Sequence, residues 1–536
     1  MEQLASGRVD WNRLPARSSV ATTQLFRLRF RRFRLRRLSC FLFCCFQALG
    51  AGPLEAGSLD RIRAAGRLVY GSDQEGGGPY AYADPQHPER LIGFEVDMMS
   101  RLATDLGVRA EFAQGQWDRL LQQLDTGRID CVANGCEWTP VRARNYLATR
   151  PYYVYQLQLM ARRGGEVRSW EQIATAARGF RVGVLANSAA DAFARTQGGP
   201  RIEVVSFDGA VDAMTATLNG QIDATLQDLP ATIFYRSRFE GLEFAGPPVG
   251  RGYYVVFVPK RDRDLKDALD AALVRMTASG ELRRILEHYS IWNDEQVALS
   301  SWNAAEFERL EAADEAPTRG WRLVLLSSRL LLAAAGMTLL LSIVSMPLAM
   351  AIGLAVALGR LYAPRVVQIL LSAYVELLRG TPLMLQLYVL YYVLKLPAFV
   401  AGVAGLAINY SAYESEIYRA GLQSIPVGQM EAALALGMSR RQALRRIVIP
   451  QATRVVIPPV TNDFIAMFKD TSVCSVITIV ELTKQYSFLA NNTGGLVEAA
   501  IATAALYLAM SLPLAWFSRR SERRLGVATG MRGVPT

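Results

Sequence analysis

Only two histidines, His87 and His288, occur in the 536 residues, and the six cysteines are scattered. Acid–base catalysis near neutral pH draws most often on histidine, and metal sites need His, Cys or carboxylates at short fixed spacings. Neither pattern is present, so no catalytic residue, no metal site and no cofactor bound by this chain are expected. No G-x-x-x-x-G-K-[ST] segment occurs, so there is no P-loop to cradle nucleotide phosphates. Cys40, Cys44 and Cys45 fall in an N-terminal apolar run and Cys474 in a later one. The spacing of Cys131 and Cys136 on a β-like segment sends them to opposite faces, which favours two buried, unpaired thiols. The chemistry left is that of fixed charges holding a ligand.

The formal net charge is +11, but residues 1–40 hold ten Arg against Glu2 and Asp10, a net of +8. A nucleic-acid-binding face would spread this excess over a folded surface. Here it directly precedes the apolar run LSCFLFCCFQALGAG, so no nucleic-acid partner is expected. A cationic segment, an apolar run and small residues at 48–52 make residues 1–53 a leader with the layout of a secretory signal. An uncleaved anchor is the alternative, although the run falls short of the ~20 residues needed to cross a bilayer. Either way, residues 54–293 are exported. There, β-like runs (RLVYGSD, IDCVANG, FRVGVLA, RIEVVSF, IDATLQD, GYYVVFV) alternate with helix-period segments such as GFEVDMMSRLATDLG, an α/β pattern. WDRLLQQLDTGRIDCVANG and VDAMTATLNGQIDATLQD repeat one helix–GxID–strand module. The duplication predicts two lobes, about 60–155 with 250–292 and about 160–247, and a ligand cleft between them.

These segments, with LIGFEVDMMSRLA, TPVRARNYLATRPYY and RVGVLANSAA, resemble the polar-amino-acid family of periplasmic binding proteins (family 3, bilobed type II fold). The resemblance implies that Arg142 grips the ligand α-carboxylate, a task suited to a planar fork of donors, and that Asp228 pairs with the α-ammonium. Asn187 and Ser188 fall where the family donates backbone and hydroxyl hydrogen bonds to the same carboxylate. Asp73 matches an acidic position near the ligand side chain, Trp117 a position that packs on it, and Glu137 a polar position beside the Arg turn. Each of these three is equally compatible with ordinary packing or capping. After Asp73 the family places an aromatic platform, whereas this chain reads DQEGGGPYAY, leaving Tyr80 or Trp117 to substitute. Asp73 and Glu137 together favour a cationic or amide side chain, because desolvated carboxylates repel a third.

Residues 294–325 form a charged connector with enough helix formers for one surface helix. Beyond it, no charge occurs between Arg329 and Arg360, longer than a span requires. Residues 380–394, 396–413 and 499–518 are further apolar runs, and 447–480 is one interrupted by Arg454, Asp463, Lys469 and Asp470. An all-α polytopic membrane domain of about five spans is therefore expected over 326–525, with 526–536 as a cytoplasmic tail. Loops carrying Arg360 and Arg365, Arg440, Arg441, Arg445 and Arg446, then Arg519, Arg520, Arg523 and Arg524 mark the cytoplasmic side, putting the binding domain outside. Glu414, Glu416 and Arg379 are costly near a membrane and could line the path or pair with one another.

The segment GQMEAALALGMSRRQALRRIVIPQA closely resembles the EAA loop of binding-protein-dependent ABC permeases. AYVELLRGTPLMLQLYVLYY, SAYESEIYRAGLQSIP and NDFIAMFKDTSVCSVITIVEL resemble their histidine, glutamine and arginine subgroup. Gly428, Glu431, Ala432 and Ala433 belong to a short helix that Gly437 ends, with Arg440 and Arg441 beyond. The resemblance implies that this helix seats on a separate ATP-binding subunit, a dimer carrying ATP and Mg; a helix lying on lipid is the bland alternative. It further implies uptake of a polar amino acid, glutamine or a cationic one, across the inner membrane, by a permease homodimer with two tethered receptors. The chain is then a transporter subunit and not an enzyme. A ligand-gated channel would need a pore loop between the lobes, whereas every predicted span follows them. A dehydratase would need a histidine or an acid–base cluster.

Overall fold

The computed structural model describes residues 58–74, 77–312, 321–493 and 496–525; the expected leader and cytoplasmic tail lie outside them. The strands are β1 (Arg67–Ser72), β2 (Tyr82–Ala83), β3 (Leu91–Ile92), β4 (Arg109–Gln114), β5 (Cys131–Val132), β6 (Tyr146–Ala148), β7 (Tyr153–Arg162), β8 (Phe180–Leu185), β9 (Ile202–Phe207), β10 (Ala224–Asp228), β11 (Leu242–Phe244), β12 (Val249–Tyr254) and β13 (Phe257–Pro259). They build one five-stranded sheet, β4-β1-β5-β13-β6, one six-stranded sheet, β11-β7-β10-β8-β9 with β12 on β7, and a separate antiparallel pair, β2-β3. This is the predicted bilobed α/β domain.

The repeated module folds alike in both lobes. Gly127 (φ 68°) and Gly220 (φ 77°) follow helices at left-handed positions that favour glycine. Three residues beyond each GxID glycine, an aspartate bonds to the neighbouring parallel strand through backbone and side chain. Asp130 N donates to Val69 O at 2.8 Å and its Oδ2 accepts from Val69 N at 2.8 Å. Asp223 N donates to Arg181 O at 2.9 Å and its Oδ2 accepts from Arg181 N at 2.8 Å. The second lobe begins earlier than the sequence predicted, because β7 enters its sheet at Tyr153 and pairs with the returning β12, Tyr153 opposite Tyr254. Tyr254 stacks between Tyr153 and Tyr155 with centroids 5.5 and 4.9 Å away, an aromatic brace on the two crossing strands. Cys131 and Cys136 are buried free thiols.

The membrane half is helical, with Ser328–Tyr362, Arg365–Gly380, Leu383–Val393, Ala398–Gln423, Ile449–Asp470 and Leu496–Leu525 as its long elements. Among the described residues, two helices are long and apolar enough to cross a bilayer alone, and three if Arg365–Gly380 and Leu383–Val393, bent by 106° at Thr381-Pro382, count as one. The count differs from five because Ala398–Gln423 carries Glu414, Glu416 and Arg419, and Ile449–Asp470 carries Arg454, Asp463, Lys469 and Asp470. Residues 365–380, which lie between the first two expected spans, form an amphipathic helix. Glu416 pairs with Arg360 and Arg419, both at 2.5 Å. Arg379 instead lies over the Tyr413 ring, 5.6 Å away. Pairing therefore occurs, though not among the three charges singled out from sequence.

Helices Ser328–Tyr362 and Ala398–Gln423 meet backbone to backbone at Gly353, where an added Cβ would stand 2.6 Å from Glu414 Cβ and 2.9 Å from Ser411 O. Gly353→Leu is expected to destabilise the membrane half by about 1–3 kcal/mol through overpacking. Gly336→Ala, with open space at its Cβ, is expected to be neutral or mildly stabilising. Thermal unfolding of both purified variants checks the contrast.

Candidate ligand-binding site and coupling loop

Between the lobes lies a cavity of about 40 Å³ lined by Asp73, Tyr80, Trp117, Glu137, Ser188 and Asp228 among others. These residues sit at or just beyond the carboxyl ends of β1, β4, β5, β8 and β10, or on the loops that follow, as expected for an α/β cleft. Six of the eight ligand residues predicted from sequence line it; Arg142 bonds to Glu137, which does, and Asn187 accepts from Arg142 through its carbonyl.

Arg142 sits in the short helix Pro140–Asn145, whose N-terminus is capped by Thr139 through a bond from Arg142 N. Its side chain is 14% exposed and its Nη1 lies 2.6 Å from Glu137 Oε2. Nη1 also donates to Glu137 O and Nη2 to Asn187 O, both at 2.9 Å, and the guanidinium lies over Trp117, 5.5 Å from the ring centre. The other oxygen of Glu137 accepts from Ala189 N at 2.8 Å. Asn187 (φ 60°) turns the chain into the helix Ala189–Gln197, which Ser188 caps by accepting from Asp191 N. The sequence expectation of a Ser188 hydroxyl aimed at ligand is thus not what the structure has: that hydroxyl caps the helix and donates to Leu185 O at 2.8 Å.

Asp73 accepts from Gln114 Nε2 at 3.1 Å and Trp117 N at 3.0 Å. Trp117 donates its indole N–H across the cleft to Ala186 O at 3.1 Å, so it serves closure and stacks on Arg142. Tyr80 contacts Tyr254 hydroxyl to hydroxyl at 2.9 Å, and the Tyr254 hydroxyl in turn bonds to Asp228. Burial first, and the nearby Glu137 carboxylate second, push the Asp228 carboxyl up to about 8. Glu95, beneath the site, is pushed up to about 7 by burial while accepting from Gly135 N and Tyr152. Glycine replaces an aromatic after Asp73 because that loop lies against the second lobe: a Cβ on Gly78 would sit 2.2 Å from Phe234, and Gly78 N donates to Tyr235 Oη at 3.2 Å.

The second candidate element is the loop after Ala398–Gln423. Gly428, Glu431, Ala432 and Ala433 lie on the helix Val427–Ala435, and Gly437 (φ 80°) reverses the chain while Met438 N returns to Ala433 O at 3.1 Å. Ser439 and Gln442 then form a reciprocal capping box that starts the Arg440–Ala443 turn. Ala433 is buried, whereas Val427, Leu434 and Leu436 are exposed, Leu436 at 83%.

Residues 68–291 match the family described as bacterial extracellular solute-binding proteins, family 3, and residues 349–527 match binding-protein-dependent transport system inner membrane component. The chain is 33% identical over 214 residues to the glutamine transport system permease protein GlnP of Escherichia coli (strain K12), covering 39% of this chain and 98% of that protein. The chain belongs to the binding-protein-dependent ABC permeases of the amino-acid type, with a family 3 solute-binding domain in the same polypeptide. This fused permease is also 37% identical over 194 residues to the L-cystine transport system permease protein TcyB of Bacillus subtilis (strain 168), covering 35% of this chain and 83% of that protein. Its binding domain is similar to the ArgBP of T. maritima in a P235GK mutant structure, at 22% identity and a TM-score of 0.39, covering 43% of this chain and 98% of that one.

Sequence reasoning missed Asn134, Gln227, Asp208 and Tyr254, and the internal repeat of the fused permease held the signal for two of them. Aligned on GxID, Asn134 and Gln227 are equivalent positions at the strand ends, and both line the cavity.

The Asp228 shift predicts proton-linked binding. Without ligand the carboxyl holds a proton below about pH 8, whereas an ammonium pairs with the ionised form, so binding expels the proton. Affinity for a zwitterion is then expected to rise with pH, by at most about tenfold per unit, and to level off above pH 8. The same shift, from 3.8 to about 8, means that the folded chain holds a proton the unfolded one has released. Ligand-free stability therefore falls as pH rises through that window. Asp228→Asn should abolish the binding slope and reduce the stability slope, the part due to Glu95 remaining; calorimetry and thermal unfolding at several pH values check both.

Proposed function

We propose that this fused permease takes up a polar amino acid, glutamine or a cationic one, across the cytoplasmic membrane. A separate dimeric ATP-binding subunit supplies ATP and Mg chemistry, and the permease acts as a homodimer. The observation that carries the reading is the helix Ala398–Gln423. At its N-terminal end, the second lobe rests on the preceding turn: Gln221 Nε2 donates to Tyr391 O at 2.8 Å and Asn219 Nδ2 to Tyr392 O at 3.2 Å. At its C-terminal end begins the loop Val427–Ala435. The 26 residues of the helix separate the two by ~39 Å at 1.5 Å per residue, about a bilayer's thickness. A receptor face and a motor face on opposite sides of a membrane is the arrangement an importer needs, with the binding domain external and the C-terminus cytoplasmic.

Two further observations support it. Asp228 lines the cavity, and Arg142 bonds to Glu137, which lines it too, so a carboxyl group that an ammonium can ionise and a guanidinium stand at one site, as zwitterion recognition requires. Lys484, 5% exposed, pairs with Asp208, which lines that cavity, and its helix Leu482–Thr493 packs against the segments Trp117–Arg119 and Pro140–Asn145 of the first lobe. A permease element thus touches both lobes in their closed arrangement. The named roles of the relatives, glutamine and L-cystine transport, agree with an amino-acid cargo.

The motor contact is tested at Gly437, whose φ of 80° an L side chain rarely adopts and whose Cβ direction is open. Gly437→Asp strains the turn by about 1 kcal/mol and adds a charge to the exposed apolar face. Uptake and ligand-stimulated ATPase activity, reconstituted with the ATP-binding subunit, are expected to fall at least about tenfold, since one desolvated charge at an interface is worth that much. Ligand affinity should be unchanged. Wild-type stimulation in the variant would remove the loop from the coupling path.

A further inference from the structure

Glu137 occupies, within the protein, the place that a ligand carboxylate would need. Its side chain is 1% exposed, with one oxygen 2.6 Å from Arg142 Nη1 and the other accepting from Ala189 N at 2.8 Å. That N–H opens the nine-residue helix Ala189–Gln197, where free backbone donors and the helix dipole favour an anion. Arg142 belongs to the first lobe and Ala189 to the second, so one carboxylate spans the cleft. The remaining terminal nitrogen of Arg142 is held by Asn187 O at 2.9 Å. The donors that would grip an amino acid's α-carboxylate are engaged by the chain itself.

We propose that Glu137 is an internal stand-in for the ligand α-carboxylate: it latches the lobes without ligand, and an amino acid binds by displacing it from Arg142 and Ala189 N. This rests on the amino-acid reading of the site given above. Two carboxylates cannot share one guanidinium in a dry pocket without strong repulsion, so displacement leaves Glu137 in need of another cation. Every amino acid brings an α-ammonium, which Asp228 takes; a ligand with a cationic side chain brings a second cation for Glu137, and one such as glutamine does not. Asp73 and Asp228 cannot supply it, being carboxyl groups themselves, and Arg142 is taken by the ligand. Glu137 therefore acts as the specificity residue of the site, holding off neutral amino acids while admitting basic ones. Its role differs from the one its position beside the Arg turn implied in sequence, because its carboxylate faces Arg142 and the second lobe.

The test is calorimetry on the purified full chain with arginine, glutamine and agmatine, the last being arginine without its carboxylate. In Glu137→Ser and in the nearly isosteric Glu137→Gln, glutamine affinity is expected to rise by about tenfold or more, the worth of one hydrogen-bonded charge partner. The arginine-to-glutamine preference should narrow, and agmatine affinity should not rise, because it never competes for Arg142. Spin labels on the two lobes should report a more open ligand-free domain in both variants. Unchanged or weaker glutamine binding in Glu137→Gln, or an agmatine gain equal to that of glutamine, overturns the proposal. If wild type and variants all keep their thermal transition yet bind none of the amino acids, the amino-acid reading of the site falls, and this inference with it.

Discussion

A guanidinium taken out of water must be given an anion, and the organisation of the binding domain follows from how that is done for Arg142. Its partner Glu137 comes from the same turn, yet reaches the second lobe through Ala189 N. Trp117 lies over the guanidinium and bonds to Ala186 O, so packing on the charge and closure of the cleft are one event. Removing either ion would leave the other buried without compensation, a larger penalty than the pair is worth when intact. The ion pair thus acts mainly as a constraint on geometry, holding the two lobes in register around a small cavity.

The charge on the opposite wall is managed differently. Among the described residues Asp228 forms no ion pair; Tyr254 and Tyr80 hand it a chain of hydroxyl donors, and burial pushes its carboxyl up to about 8. An acid held neutral and an arginine already paired give the pocket little uncompensated charge, which is what allows it to close.

The membrane half obeys the same accounting by other means. Glu416 pairs with Arg360 on the neighbouring helix and with Arg419 on its own, and Gly353 lets two helix backbones touch, so the partly buried carboxylate is met by protein cations. The consequence reaches the binding domain, since the helix Leu383–Val393, packed on Ala398–Gln423, carries near its end Tyr391 and Tyr392, on which Gln221 and Asn219 rest.

Local pattern was enough for much of this. Alternating strand and helix periods, the doubled GxID module and the glycine-terminated EAA segment are short-range features, and each fixes backbone conformation within a few residues: Gly127, Gly220 and Gly437 all adopt the positive φ their positions imply. The division into an α/β half and a helical half, and the gathering of Arg142, Asp228, Trp117 and Tyr80 at one cleft, were legible for that reason. The number of spans was less so, because hydropathy averages over a helix and cannot tell a charge facing Arg360 from one facing lipid. What only the tertiary structure decided is the set of pairings between residues far apart in the chain. Ser188 spends its hydroxyl on a helix cap, Glu137 turns toward Arg142 and Ala189, and Lys484 meets Asp208 across 276 positions. Charge partners are chosen by distance and desolvation in three dimensions, and neither quantity is carried by spacing along a sequence.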